Sequence, residues 1–197
     1  MNVHILELRD LARQYSIDPE ILPLIDVVLD NPHFSEWSGS AYSYHHHYGD
    51  GGLARHTYEV VRLCLLNRDA LSKMEMNKEE LFLAALYHDI GKLFDYEKVN
   101  GVWQGTLHKR MIHHISRSAI TWSHSWRDFE NKTKTISTNY HDSVLHAILA
   151  HHGSRQYGSP VAPKSQVAWM LHLCDGISAR MDDWNKSDVV DKDKGKV

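Results

Sequence analysis

LFLAALYHDIGKL, residues 81–93, reads as an apolar helix that runs straight into a polar end. The spacing predicts a helix over 78–87, with Leu81, Phe82, Ala84, Ala85 and Leu86 apolar, closing at His88-Asp89-Ile90-Gly91. Adjacent side chains on a helix point about 100° apart. A helix end relaxes that geometry, so His88 and Asp89 can reach one metal ion or straddle two.

Upstream, a second helix is predicted over 53–71, with Leu53, Val60, Val61, Cys64 and Leu65 apolar. Gly51-Gly52 permit a tight entry and place His56 in its first turns. The preceding SGSAYSYHHHYGDGG, residues 38–52, is a polar, glycine-rich loop. Earlier still, Ile5, Leu6, Leu8, Leu11 and Ala12 form a helical stripe. Asp18-Pro19-Glu20 starts another helix that stops at Asn31-Pro32. Downstream, Asn100-Gly101 lies between Tyr96-Glu97-Lys98-Val99 and Val102-Trp103-Gln104, which predicts a hairpin near 94–105 resting on the helical body. Helices resume over about 107–122, 138–151 and 164–184, with 123–134 as a polar connection. Residues 185–197 alternate Lys and Asp and are expected to form a flexible, frayed polar tail. The expected fold is mostly α: one domain over 38–184, with 1–37 as a helical segment packed on it.

Composition narrows the class. A chain of 197 residues, 42% hydrophobic and 24% charged, is an ordinary globular domain, not a disordered chain. No stretch approaches the ~18 apolar residues of a membrane span, and the amphipathic N-terminus has no signal-peptide pattern. Cys64 and Cys174 make no disulfide framework, pointing to a reducing, cytoplasmic setting. The formal net charge of −3 gives no global basic field for nucleic acid, although a local pocket can still hold phosphates. The anomaly is histidine: 16 residues against 25 Asp plus Glu, spread along the chain. Histidine is the commonest metal ligand.

The candidate ligands are His56, His88-Asp89, His113-His114, His151-His152 and Asp175. Asp175 interrupts an apolar run and would be costly there unless paired or metal-bound. Singly, each also fits a structural role, such as a solvated helix residue or a turn cap. Together they form a mixed N/O donor set suited to one or two divalent ions, and no thiolate set exists for cysteine-type zinc. His172 lies three residues before Asp175 on the same helical face and reads as a spare ligand or as a partner outside the ligand shell. His108, His141 and His146 read as structural.

The order His56 … His88-Asp89 … Asp175 resembles the HD superfamily of metal-dependent phosphohydrolases. With His114 and His151-His152 it is similar to the two-metal branch, and most similar to the HD domain of bacterial 3′–5′ exoribonucleases that carry an N-terminal OB-fold. The matching stretches are SYHHHYGDGGLARHTYEV (43–60), LFLAALYHDIGKL (81–93) and HAILAHHGSRQYGSPVAPKSQVAWMLHLCDGISARMD (146–182). The first 37 residues depart from that family, being too short for an OB-fold. The resemblance implies a single HD-domain helical bundle. It implies one metal on His56, His88, Asp89 and Asp175, and a second on Asp89, His114, His151 and His152. His114 is favoured over His113 because Ser118 follows it at the family's spacing.

The implied chemistry is phosphodiester hydrolysis by a metal-activated water, with manganese, iron, nickel or zinc as the ion. Asp89 would bridge. Lys92, one turn beyond His88, would meet a phosphate oxygen. Arg155 would bind a second phosphate, and Tyr44 and His46 in the aromatic loop would contact the substrate. The expected substrate is a nucleotide or the 3′ end of a short single-stranded nucleic acid. The alternatives are a nucleotide mono- or triphosphate phosphohydrolase and a non-enzymatic, metal-stabilised regulatory module.

Overall fold

A computed structural model describes residues 2–71, 75–133 and 138–194, with side chains at all of these except 138, 139 and 184–194. Helix α1 is Val3–Gln14 and, after a single 3-10 turn at Pro19–Ile21, α2 is Leu22–Leu29. Then come α3 (Gly52–Ala70), α4 (Lys78–Tyr87) and the short α5 (Lys92–Asp95). Strands β1 (Tyr96–Val99) and β2 (Val102–Gly105) follow, then α6 (Leu107–Met111), α7 (His114–Thr133), α8 (Thr138–Ala150) and α9 (Gln166–Lys194). The fold is mostly α with one small antiparallel hairpin.

Helix α4 is the axle of the bundle. Asn77 caps it, its side chain accepting a hydrogen bond from the Glu80 amide at 3.0 Å. Every residue from Leu81 to Tyr87 is buried. A helix apolar on all sides must be surrounded, and α2, α3, α7, α8 and α9 all pack on it. The Tyr87 hydroxyl finds the Leu24 carbonyl at 2.6 Å, and Trp122 of α7 meets its ring edge-on. The polar end of α4 is thereby carried into the middle of the molecule: His88 and Asp89 are 0% and 2% exposed. Helix α1 packs on α3, and Ile5, Leu8, Leu11 and Ala12 join the same apolar core.

The hairpin forms where Asn-Gly predicts it. Asn100 and Gly101 both have positive φ, and Tyr96 pairs with Gly105 at the open end. It rests on the bundle through Trp37, whose Nε1 donates to the Tyr96 carbonyl and whose ring meets Trp103 edge-on.

Three expectations are corrected. The helix expected over 107–122 breaks at Ile112-His113, where His113 takes φ 69°, and α7 starts afresh at His114. The break lets the His114 amide donate to Asp95 Oδ2 at 2.9 Å. The polar connection expected from residue 123 is helix as far as Thr133, because Ile115, Ala119, Trp122, Trp126 and Phe129 continue one buried stripe beneath the polar residues; Lys134 lies outside the described residues. The tail expected to fray from residue 185 continues α9 to Lys194, a stretch free of glycine and proline; residues 195–197 lie outside the described residues. No described helix is long and apolar enough to cross a membrane.

Candidate metal centre

Five helix ends and turns converge on Asp89. Its Oδ2 lies 3.3 Å from His56 Nε2 of α3 and 3.4 Å from His88 Nε2. Its Oδ1 lies 3.4 Å from His114 Nε2 of α7 and 3.7 Å from His151 Nε2, just past α8. Asp175 of α9 brings Oδ1 to 3.1 Å from His56 Nε2 and 3.8 Å from His88 Nε2. Two groups result, each compact enough to hold a metal ion: His56, His88 and Asp175 on one side, and His114, His151 and His152 on the other. Asp89 presents one oxygen to each. A third grouping, Asp95, His113 and His114, shares His114 with the second.

The donor atoms fit a cation. Asp89 Oδ1, His114 Nε2 and His151 Nε2 are buried and have no hydrogen-bond partner. Such a cluster is expensive unless an ion or a water sits among the atoms, and a set of acceptors alone suits an ion. On the first side, burial works against a charge on His56, but Asp175 and Asp89 outweigh it and raise its pKa to about 9. The two carboxylates therefore favour positive charge at Nε2, the position where a divalent ion would sit. On the second side, burial lowers His114 to about 4 and His151 well below the ordinary imidazole range. Both keep neutral rings, the form that binds metal.

Ring orientation is set from outside. His88 Nδ1 donates to the Ala85 carbonyl at 2.7 Å and His151 Nδ1 to that of Ile148 at 2.7 Å, each one turn back on its own helix. His152 Nδ1 donates to the Tyr157 carbonyl at 2.8 Å. These bonds leave Nε2 of each ring as the free lone pair. His56 uses a relay: Nδ1 lies 3.1 Å from Ser178 Oγ, whose hydroxyl donates to Glu59 Oε2 at 2.7 Å. Burial raises the Glu59 pKa, but hydrogen bonds from His47 and Ser178 and the charge of Arg55 bring it down to about 2, so it only accepts. The serine proton is thus committed to Glu59, and His56 Nδ1 must be the donor. His172 Nδ1 donates to the His151 carbonyl at 2.7 Å, which requires glycine at 153: a Cβ there would lie 2.5 Å from the His172 ring.

Asp95 holds His114. Fully buried, it accepts from the His114 amide, lies 3.4 Å from His114 Nδ1 and takes a 2.8 Å hydrogen bond from His108 Nδ1. Sequence reasoning missed Asp95, Glu59 and Ser178. The available signal was spacing, since Glu59 is three residues beyond His56 and Ser178 three beyond Asp175. For Asp95 the partners are long-range and leave no local trace. Asp95→Asn is expected to weaken metal binding at the second group by about 10- to 100-fold, read by competition with a chelating dye. Unchanged affinity would remove Asp95 from this role.

Of the other expected residues, Lys92 lies at the centre and the rest toward the margins. Lys92 is buried and pairs with Asp89 Oδ2 at 2.7 Å, so its ammonium faces the carboxylate in this structure. Burial would lower its pKa, but Asp89 outweighs that and holds it above the ordinary range. The 40–48 loop lies against the first group. His47 sits 4.7 Å ring to ring from His56, and Gly52 makes room, because a Cβ there would fall 1.9 Å from the His47 carbonyl oxygen. His46, lowered to about 3 by burial, is 6.0 Å from the His56 ring. Tyr44 is exposed in a stack with Tyr42. Arg155 is exposed on the turn after His152.

The HD domain family matches residues 53–180, a span holding all the donor residues of both groups. The chain belongs to the HD domain family. It is 30% identical over 140 residues to the 3′-5′ exoribonuclease YhaM of Oceanobacillus iheyensis, covering 69% of this chain and 40% of that protein. It is 26% identical over 152 residues to the dihydroneopterin 2′,3′-cyclic phosphate phosphodiesterase of Methanocaldococcus jannaschii, covering 75% and 54%. The Bacillus subtilis YhaM exoribonuclease matches at 25% over 138 residues, covering 69% and 41%. The chain thus spans roughly two fifths to one half of these relatives. No solved structure matches it.

Proposed function

We propose that the chain is a two-metal phosphodiesterase that hydrolyses a nucleotide or nucleic-acid 3′-end phosphodiester with water. One observation carries the reading: the two oxygens of Asp89 face two separate histidine groups. The first ion would be held by His56, His88, Asp89 Oδ2 and Asp175, the second by Asp89 Oδ1, His114, His151 and His152. A pair of divalent ions supplies an activated water and positive charge against the phosphate oxygens.

The remaining work belongs to the chain. Asp89 fixes the separation of the two groups. The Nδ1 hydrogen bonds aim the rings of His88, His151 and His152 so that Nε2 faces the ions. Lys92 remains cationic beside Asp89 and offsets negative charge that develops on the phosphorane oxygens. Arg155 offers a guanidinium for a second phosphate, and His46 and Tyr44 line the approach. The names of the relatives, an exoribonuclease and a cyclic phosphate phosphodiesterase, support a phosphodiester over a phosphomonoester.

The test is hydrolysis of bis-p-nitrophenyl phosphate by manganese-loaded protein of measured metal content. Turnover with about two ions bound is the expected result. Bound metal without turnover would count against the enzyme. Inorganic phosphate released from nucleotides, with single-stranded RNA untouched, would select the nucleotide phosphohydrolase. No turnover, and equal stability with and without chelator, would overturn both enzyme readings.

A further inference from the structure

The aromatic loop and the hairpin meet around one cation. Lys109 of α6 holds its ammonium 5.2 Å from the ring centre of Tyr42 in the loop and 4.7 Å from that of Tyr96 at the start of β1. Gly105, ending β2, seats the lysine stem: a Cβ there would lie 3.3 Å from Lys109 Cδ. Ring faces attract an ammonium through their quadrupole but leave most of its N–H donors unanswered. Among the described residues no carboxylate pairs with Lys109, whereas Lys92, on the metal-centre side, is engaged by Asp89.

The seat is linked to the metal centre on its inner side and to an open surface on its outer side. Tyr96 is buried and follows α5 directly, the helix that begins at Lys92, whose ammonium pairs with Asp89 at 2.7 Å. Lys109 in turn follows His108, whose Nδ1 donates to Asp95 Oδ1 at 2.8 Å at the end of α5. Outward, Tyr42 stacks on Tyr44 at 5.5 Å and 23°, and Tyr44 is 70% exposed. From the inside the order is Asp89 and Lys92, Tyr96, Lys109, Tyr42, Tyr44. That sequence offers a place for the scissile phosphate, then a donor for an anion, then an exposed aromatic face on which a base can stack.

We propose that Lys109, seated between Tyr42 and Tyr96, binds the phosphate next to the scissile one, so that the centre takes the end of a nucleic-acid strand in preference to a mononucleotide. This rests on the phosphodiesterase reading above and adds its substrate class. A dinucleotide with a 5′-phosphate presents the additional anion, and its 5′-hydroxyl counterpart does not.

The test uses the full manganese-loaded chain and two diadenylates, 5′-phosphorylated and 5′-hydroxyl. The scissile P–O is replaced by P–CH2 in both, so that binding is read without turnover. Wild-type protein is expected to bind the phosphorylated probe about tenfold more tightly, the scale of one charge-assisted contact. Lys109→Ala is expected to bring that ratio close to one, and Lys109→Arg to restore part of it. Turnover of bis-p-nitrophenyl phosphate, which has a single phosphate, should change less than about twofold in Lys109→Ala, since the substrate lacks the contact. A ratio near one in the wild type, or one that Lys109→Ala leaves intact, overturns the inference. Failure of the wild type to turn over bis-p-nitrophenyl phosphate overturns the underlying reading instead, and the binding ratio still decides the role of Lys109.

Discussion

Asp89→Asn is expected to empty both histidine groups together and to lower phosphodiester turnover by about 10³-fold or more, equivalent to roughly 4 kcal/mol of transition-state stabilisation. Among the described residues Asp89 is the one carboxylate that pairs with histidines of both groups. Oδ2 serves His56 and His88, and Oδ1 serves His114 and His151. Asparagine keeps the shape but loses the charge that would offset two divalent ions, and its amide nitrogen cannot act as a ligand. Loss of Asp175, which pairs with His56 and His88, should on the same reading release the first ion and spare the second. Metal content per chain therefore separates the two substitutions.

The substitution has a side effect that must be separated from its main one. Lys92 is buried and pairs with Asp89. Removing one member of a buried pair costs about 3–5 kcal/mol, because the other charge is left uncompensated. Asp89→Asn alone could then lose metal by loosening the fold. The combined variant Asp89→Asn, Lys92→Met removes the stranded ammonium and should recover most of the thermal stability while still binding no metal. Recovery of metal in the combined variant would show that Asp89 acts through the fold, and the bridging role would be lost.

What the sequence reveals of this molecule follows the range of the forces involved. Helix α4 and its polar end are legible because an apolar run, a cap and an adjacent His-Asp are local features. The hairpin is legible for the same reason, since Asn100-Gly101 specifies its own turn. The metal ligands could be nominated by residue type and by resemblance. Their division between two sides of Asp89 is a tertiary fact. The break at His113 was illegible because its cause lies elsewhere in the chain, in Asp95, which captures the His114 amide. The full reach of α7 was hidden because Ser123, His124, Arg127 and Asp128 read as a connection, while the stripe through Trp122, Trp126 and Phe129 shows only against a packed core. The relay from His56 through Ser178 to Glu59 joins α3 to α9, and neither segment alone implies it.

Gly91→Ala is the second large effect, and it tests the architecture without touching a ligand. Gly91 has φ −62° and ψ −18°, a conformation alanine adopts freely, so backbone strain is not the reason for glycine here. The reason is proximity. A Cβ at this position would lie 2.2 Å from the His114 carbonyl oxygen and 2.8 Å from its Cα. Both are backbone atoms, so no side-chain rotation relieves the clash. The Gly91 amide also donates to Ser118 Oγ at 2.9 Å, which ties the two segments at the same point. Alanine must push the start of α7 away from α5 and carry His114 off Asp89 Oδ1. His56, His88 and Asp175 come from α3, the end of α4 and α9, and stay in place. On the two-metal reading, the variant is therefore expected to retain one of the two ions. Overpacking of about 3 kcal/mol should lower Tm by roughly 6–12 °C. The same substitution at Gly176 is the control. It neighbours Asp175 but has nothing within 4 Å of the new Cβ, and alanine within a helix should be neutral or stabilising by about 0.5–1 kcal/mol. Two ions and an unchanged Tm in Gly91→Ala would mean that the approach of Gly91 to His114 is not what assembles the second group.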